Sequence, residues 1–312
     1  MKKFKTICAL IMTSTLMLTG CSASNKNTES EELRVGVMLS KPSVPLIVGK
    51  EMGFFEDAGV NVVVEKFTAP NLRDAAIQAG EIDGMVSDIM TAMTYTDAGL
   101  PMTITSDINE DFKLLIAKGA NIDKVEDLNG KDITLVPNYL GHYQMDVIAK
   151  KHNIEYNLVP IPQIPARLEA LKNGQVQASI LGQPQSISAE KSGVSILADI
   201  EDDYNIKSGV MFFNKEFVDN NKNNLTNFYK GYNKTVEYLN NTDAKEYWPI
   251  LEKYGLPEVI VEYLNTDEAK FYPATNIEES QFEDVKKWAT EKELVKNNYK
   301  FEEITNFNFI EK

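Results

Sequence analysis

From residue 33 onward, short apolar runs alternate with stretches whose apolar residues recur every three or four positions, which predicts strands alternating with helices. "LRVGVML" at 33–39 reads as the first strand. "APNLRDAAIQAG" at 69–80 reads as a helix: Asn71 is the expected cap, Leu72, Ala75, Ala76 and Ala79 the apolar face, and Gly80 the left-handed terminus. "EIDGMVSD" is then a strand, and its last two residues, Ser87 and Asp88, are suited to cap the helix "IMTAMTYTDAG" that Gly99 closes. Strand and helix in strict alternation predict a mostly parallel α/β sheet.

Laid on itself with an offset of 94, the chain repeats this pattern. "AGEIDGMV" falls on "NGQVQASI", so that Gly80 meets Gly174, Ile82 meets Val176 and Gly84 meets Ala178. "NLRDAAIQAG" falls on "PARLEALKNG", Gly99 meets Gly193, and with a short gap "RVGVML" falls on "DITLVP". Two lobes of one topology are expected, the first from Leu33 and the second from about Asn121, after the strand "FKLLIAK".

"SGVMFFNKEF" and all that follows has no counterpart in the repeat. It reads as a strand and several helices, the last with a capping box of Ser280 and Glu283. Such a tail most simply returns to complete the first lobe. The expected division is residues 33–118 with 210–312 in the first lobe and 119–209 in the second, with strands near 113–118 and 209–213 crossing between them.

Ahead of all this, Met1 to Lys5 is basic and residues 6–18 are mostly apolar, the layout of a secretory signal. The run is too short for a span of about 20 apolar residues. Leu18-Thr19-Gly20-Cys21 resembles the bacterial lipobox, in which the cysteine thiol becomes a diacylglycerol thioether. Residues 1–20 are therefore expected to leave and Cys21 to be a lipid tether, while residues 21–32, rich in Ser, Asn, Thr and Glu, form a linker. Contact with a membrane is expected through that anchor alone, on the extracytoplasmic face, with at least two acyl chains giving stable attachment.

Composition narrows the chemistry further. Loss of residues 1–20 removes three lysines and no acid, taking the formal charge from −14 to −17, which disfavours nucleic acid as a partner. Cys8 leaves with the signal and Cys21 is acylated, so disulfides and thiol catalysis are excluded. His142 and His152 lie ten apart, without a zinc motif's spacing, and no metal or cofactor is expected. No "GxSxG" elbow and no "GxxxxGK" or "GxGxxG" phosphate loop is present, so no enzyme is expected, and the chain is read as a monomer.

In open α/β sheets, ligands bind beyond the carboxyl ends of the strands, where helix N-termini present free N–H groups. "LSKPSVP" places Ser40, Lys41 and Pro42 at such a mouth, the lysine either meeting an anion or lying solvated. "SDI" places Ser87 and Asp88 there, Asp88 being read first as a cap. "PNYLGHY" contributes Asn138, Tyr139, Gly141 and His142; Tyr139 and Tyr143 would sandwich a flat ligand unless Tyr143 packs inward. "GQPQS" contributes Gln183, which reads hydrogen-bonding edges or faces solvent.

"VGKEMGFFEDAGVNVVVEKF", "LRDAAIQAGEIDGMVSD" and "DLNGKDITLVP" together resemble the solute-binding proteins of the nitrate, taurine and alkanesulfonate group, over about residues 33–215. The resemblance implies a type 2 periplasmic-binding-protein fold, two lobes closing on a small molecule, and an ABC permease with its ATPase as partners. Related members carry pyrimidine precursors of thiamine or other flat heterocycles. Here Gln183-Pro184 stands where the family often has tryptophan-proline. The resemblance leaves two other classes, a surface lipoprotein for sensing or adhesion, and an enzyme of the same fold in thiamine-pyrimidine or menaquinone synthesis.

Overall fold

The computed structural model describes residues 32–310 other than 109, 111 and 208. The expected signal, the lipobox with Cys21 and nearly all of the linker lie outside the described residues. Ten strands form two five-stranded sheets. The first contains β1 (Leu33–Met38), β2 (Val62–Phe67), β3 (Gly84–Asp88) and β4 (Met102–Asp107). The second contains β5 (Phe112–Ile116), β6 (Asp132–Leu135), β7 (Asn157–Pro160), β8 (Ala178–Gly182) and β9 (Ser195–Asp199), after which β10 (Gly209–Asn214) rejoins the first.

Their orders are β2-β1-β3-β10-β4 and β7-β6-β8-β5-β9, one topology used twice. In each, three strands run parallel, and a fourth, β10 or β5, lies antiparallel between its neighbours. The offset of 94 carries β3 onto β8 and the helix Pro70–Gln78 onto the helix Ile164–Lys172 without adjustment. Gly80 and Gly174 take φ of 70° and 67°, and Gly99 and Gly193 take 87° and 91°, the left-handed conformations that end the paired helices.

Three expectations are corrected. Residues 112–118 were placed with the first lobe, but β5 pairs with β8 and β9 in the second, so the chain crosses between β4 and β5 and again between β9 and β10. In the first sheet the place beside β10 that β5 would have taken is filled by β4, "MTITSD". In the helix Pro70–Gln78 the buried face is Arg73, Asp74, Ala76 and Ile77, whereas Leu72 is 50% exposed; the helix begins one residue before Asn71, with Ala69 as its cap position. The last long helix, Glu279–Glu291, is boxed by Glu278 and Gln281, not by Ser280 and Glu283.

Apolar packing ties the pieces together. Leu33, Val35 and Val37 share one face of β1 and are fully buried, while Gly36 is buried on the other between the half-buried Arg34 and Met38. The tail helix Lys222–Asn240 lays Leu225, Phe228, Tyr232, Val236 and Leu239 against the first lobe at helical spacing, and Phe228 stacks on Phe55 at 5.2 Å. A second cluster runs from Ile77, Met85, Ile89 and Phe212 of the first lobe to Leu114, Ile133, Leu135 and Ile180 of the second. The lobes are therefore shut on each other.

One glycine shows how closely the repeat is fitted. Gly84 lies opposite Phe213 of β10, and a Cβ there would sit 2.1 Å from the phenyl ring, while the matching position in the second sheet, Ala178, faces the smaller Ile116. Gly84→Ala should lower stability by about 1–3 kcal/mol through overpacking. Urea unfolding of the variant reads this directly; an unchanged midpoint would mean that the ring yields without strain.

Candidate functional site

Between the lobes, at the carboxyl ends of the parallel strands, lies a cavity of about 120 Å³. The first lobe contributes Met38 and Ser40 after β1, Arg73 from the first turns of a helix, and Ser87 and Asp88 at the end of β3. The second contributes Leu135 at the end of β6, Tyr139, Leu140 and Gly141 at a helix N-terminus, Arg167 from the matching helix, and Ile180 to Gly182 of β8. Glu110, on the first crossing, looks into the same space.

Five of the residues singled out from sequence thus come together: Ser40, Ser87, Asp88, Tyr139 and Gly141. The others go elsewhere. Lys41 is buried against the tail, where its Nζ donates to the Glu268 carbonyl at 3.2 Å and lies 5.6 and 5.9 Å from the Tyr263 and Phe271 ring centres; it is neither solvated nor at the cavity. Pro42 is buried beside it in a short 3-10 turn. Asn138 takes φ of 65°, and its N–H donates to His142 Nδ1 at 3.0 Å. His142 and Tyr143 turn outward to meet Trp288 edge-on at 5.4 and 5.5 Å, in a separate surface groove, so the tyrosine sandwich does not form. Burial lowers the His142 pKa. Gln183 is buried in the seam between lobes, its carbonyl accepting from the Lys41 N–H at 3.0 Å and its Oε1 without a partner among the described residues.

Asp88 serves both lobes. Its Oδ1 accepts from the Thr91 N–H at 2.8 Å, capping its own helix, and its Oδ2 faces the Leu140 N–H at 3.4 Å, the mouth of a helix in the other lobe. Burial pushes its pKa up from 3.8 to about 6. A second tie across the cleft is the Tyr139 hydroxyl, which donates to Asp74 Oδ2 in a short hydrogen bond. Asp74 in turn pairs with Arg73 at 3.0 Å.

Arg73, Arg167 and Glu110 are the charged residues of the cavity that sequence reasoning missed. Arg73 was passed over because it lies on a face read as polar, yet it is 4% exposed. Its Nη1 donates to the Val86 carbonyl at 2.7 Å, and its Nη2 to Ser87 Oγ at 2.8 Å and Asp74 Oδ1 at 3.0 Å. Arg167 lies at the same place in the second lobe and is 9% exposed, but its Nε is buried with no hydrogen-bond partner among the described residues. Burial alone drops its pKa to about 10. The signal was present in the repeat, since the offset of 94 sets Arg73 on Arg167. At the positions of Asp74, Ser87 and Asp88 the second lobe carries Leu168, Leu181 and Gly182, which cannot pair with a guanidinium.

Two five-stranded lobes of repeated topology around a cavity between them define a type 2 periplasmic-binding-protein architecture. Residues 41–245, more than half of the chain, match the family model described as NMT1/THI5 like, and the chain belongs to that family. It is 26% identical over 221 residues to a protein of Brachyspira hyodysenteriae described as an ABC transporter periplasmic binding protein; the match spans 64% of this chain and 63% of that relative. Over 233 residues it is 24% identical to a Bacillus subtilis protein described as an aliphatic sulfonates-binding protein, with 70% of each covered. A shorter match, 28% over 113 residues, is to 4-amino-5-hydroxymethyl-2-methylpyrimidine phosphate synthase of Schizosaccharomyces pombe, covering 36% of this chain and 32% of the enzyme. The solved alkanesulfonate-binding protein SsuA from Xanthomonas axonopodis pv. citri, bound to MOPS, has a TM-score of 0.74 at 17% identity over 88% of this chain and 98% of its own.

Asp88 makes the stability of the shut form depend on pH. Below 3.8 both folded and unfolded chains hold its proton and the effect vanishes; between 3.8 and about 6 only the folded chain holds it, so stability falls as pH rises, and above about 6 the full penalty is in place. Asp88→Asn keeps an oxygen for Thr91 and removes the buried charge. Thermal melts should show the variant gaining more over the parent at pH 8 than at pH 4.5; equal gains at both would place the charge in water.

Proposed function

We propose that this protein is the extracytoplasmic solute-binding component of an ABC importer, tethered by acyl chains on Cys21, which captures a small organic or oxyanionic solute between its lobes and presents it to a permease with its ATPase. The observation that carries this reading is the enclosed cavity at the strand ends, lined from both lobes and holding two buried arginines. A solute seated there touches both bodies, so its contacts are complete only when the lobes are shut, and that differential affinity drives closure. The relatives described as binding proteins for aliphatic sulfonates and as periplasmic components of ABC transporters support the same reading.

The pyrimidine phosphate synthase relative raises an enzymatic alternative. Binding without turnover is favoured because the cavity is lined by neither histidine nor cysteine, Asp88 caps a helix, and Arg73 is held by Asp74, Ser87 and the Val86 carbonyl. Ser40, Ser87, Asp88, Tyr139 and Gly141 are the residues from the sequence that we assign to the solute site.

Titration of the anchorless chain with ethanesulfonate, nitrate and 4-amino-5-hydroxymethyl-2-methylpyrimidine, followed by thermal shift and small-angle scattering, tests the reading. A bound compound should raise the midpoint and narrow the particle toward the shut form. Tyr139→Ala should weaken binding at least about tenfold, or about 1.4 kcal/mol. Turnover of a bound compound without closure would sink the proposal. Separately, Cys21→Ala should move the protein from the membrane fraction to the soluble fraction in cells; retention in the membrane would rule out the tether.

A further inference from the structure

We infer that His142, in the outer seam, is a proton-controlled positioning residue for the cleft: its neutral ring holds the loop that carries Tyr139 to the first lobe, and its protonation releases that loop and favours opening. This rests on the solute-capture reading above only in taking the cleft as the place of capture.

The neutral ring is fixed by what it accepts. The Asn138 N–H donates to His142 Nδ1 at 3.0 Å, so Nδ1 carries a lone pair and the ring proton sits on Nε2. Asn138 stands in the left-handed region at φ of 65°, which a residue other than glycine adopts only with local support. The next two residues make contacts across the cleft: the Tyr139 hydroxyl donates to Asp74 Oδ2, and the Leu140 N–H faces Asp88 Oδ2 at 3.4 Å. The acceptor that His142 supplies outside the cleft therefore steadies the loop that ties the lobes inside it.

A second proton changes the partners of the ring. An imidazolium has two donors and no acceptor, so its Nδ1–H meets the Asn138 N–H head-on and that bond is lost. The charge has a place to go one turn along the helix, where Asp146 Oδ2 lies 3.5 Å from Nε2. Burial opposes ionisation of Asp146, but hydrogen bonds from Lys292, Tyr156 and Trp288 keep its pKa below 3.8, so it is an anion while the histidine titrates. The ring thus has two alternative alliances, the Asn138 amide when neutral and Asp146 when charged, and a proton chooses between them.

The groove beside the ring carries Asp146 and Lys150 of its own helix, Glu155 just after it, and Asp284, Lys287, Glu291 and Lys292 along the tail helix. Tyr143 and Tyr156, also there, are pushed up by burial and keep their protons. Burial is the largest effect on His142 and lowers its pKa from 6.5; Asp146 raises it and Lys292 lowers it. The neutral ring therefore costs nothing above pH 6.5, and the shut form loses stability as pH falls from there through the folded value. Letting go of the loop removes that penalty, so acid favours the open form. The direction is opposite to that of Asp88, whose penalty grows as pH rises.

Ring titration, hydrogen exchange and small-angle scattering of the ligand-free chain test this. His142 and His152 are the only histidines of the sequence, so a chain bearing His152→Gln gives one ring signal, whose midpoint should lie below 6.5. A ring that stays neutral until the chain unfolds overturns the inference. Exchange of the amides of residues 136–141, corrected for the intrinsic effect of pH, should be at least about tenfold faster below that midpoint than above it, and the particle should widen. His142→Asn keeps an acceptor and takes no proton, so its exchange and size should stay closer to level across the same range. His142→Ala has no acceptor and should exchange fast on both sides of the midpoint. Asp88 is present in all of these chains, so loosening of the parent no greater than that of His142→Asn assigns the effect elsewhere and overturns the inference. None of these measurements needs a solute: that outcome leaves solute capture standing, whereas a chain that opens with acid yet binds no solute keeps the switch and removes the capture reading.

Discussion

Each sheet is completed by a strand that has just arrived from the other lobe, and the remaining geometry depends on this exchange. β5 enters the second sheet immediately after the first crossing, and β10 enters the first immediately after the second. Both lie antiparallel to the strands beside them, so each lobe needs the other's chain to fill its fourth position. The two sheets cannot drift apart, and their parallel strands present their carboxyl ends to one shared space. Helix N-termini gather at the same ends, which makes that space attractive to polar solutes before any side chain is considered.

On this duplicated frame the side chains are deliberately unequal. The paired helices Pro70–Gln78 and Ile164–Lys172 each send an arginine inward, but only the first lobe surrounds it with Asp74, Ser87 and the Val86 carbonyl. The second lobe has Leu168, Leu181 and Gly182 at the matching positions, and Arg167 Nε is buried without a hydrogen-bond partner among the described residues. Burial of such a group is unfavourable in the empty protein, and the same burial strengthens its attraction for an arriving ion, since the low local dielectric acts on both terms. The network of Arg73, Asp74 and Tyr139 has the opposite character, satisfied within the protein and spanning the two lobes.

Outside the cavity, the helix Leu140–His152 is held on its far side by the tail. Asp146 of that helix accepts from Trp288 Nε1 at 2.9 Å and from Tyr156 Oη at 2.7 Å, and pairs with Lys292 at 2.7 Å. The helix that offers its N-terminus to Asp88 is thus fixed at both flanks, and His142, expected at the ligand, instead belongs to this outer seam.

Strand and helix alternation, the offset of 94, the glycines that end the paired helices and the capping role of Asp88 were all legible in the chain, because each reports a local requirement: a period, a left-handed turn, a free N–H. Which sheet receives "FKLLI" was not legible, since a five-residue apolar strand pairs equally well in either, and only the edge occupied by β4 decides. Nor was the inward face of the helix Pro70–Gln78, where alanines offered a weak apolar stripe and a buried arginine lay on the side that looks polar. The sequence by itself determined two like lobes with ligand loops at known strand ends. Only the tertiary structure decided which polar groups meet across the cleft, because partnership between residues as distant as Asp74 and Tyr139, or Asp88 and Leu140, is set by how the lobes close and leaves no local trace.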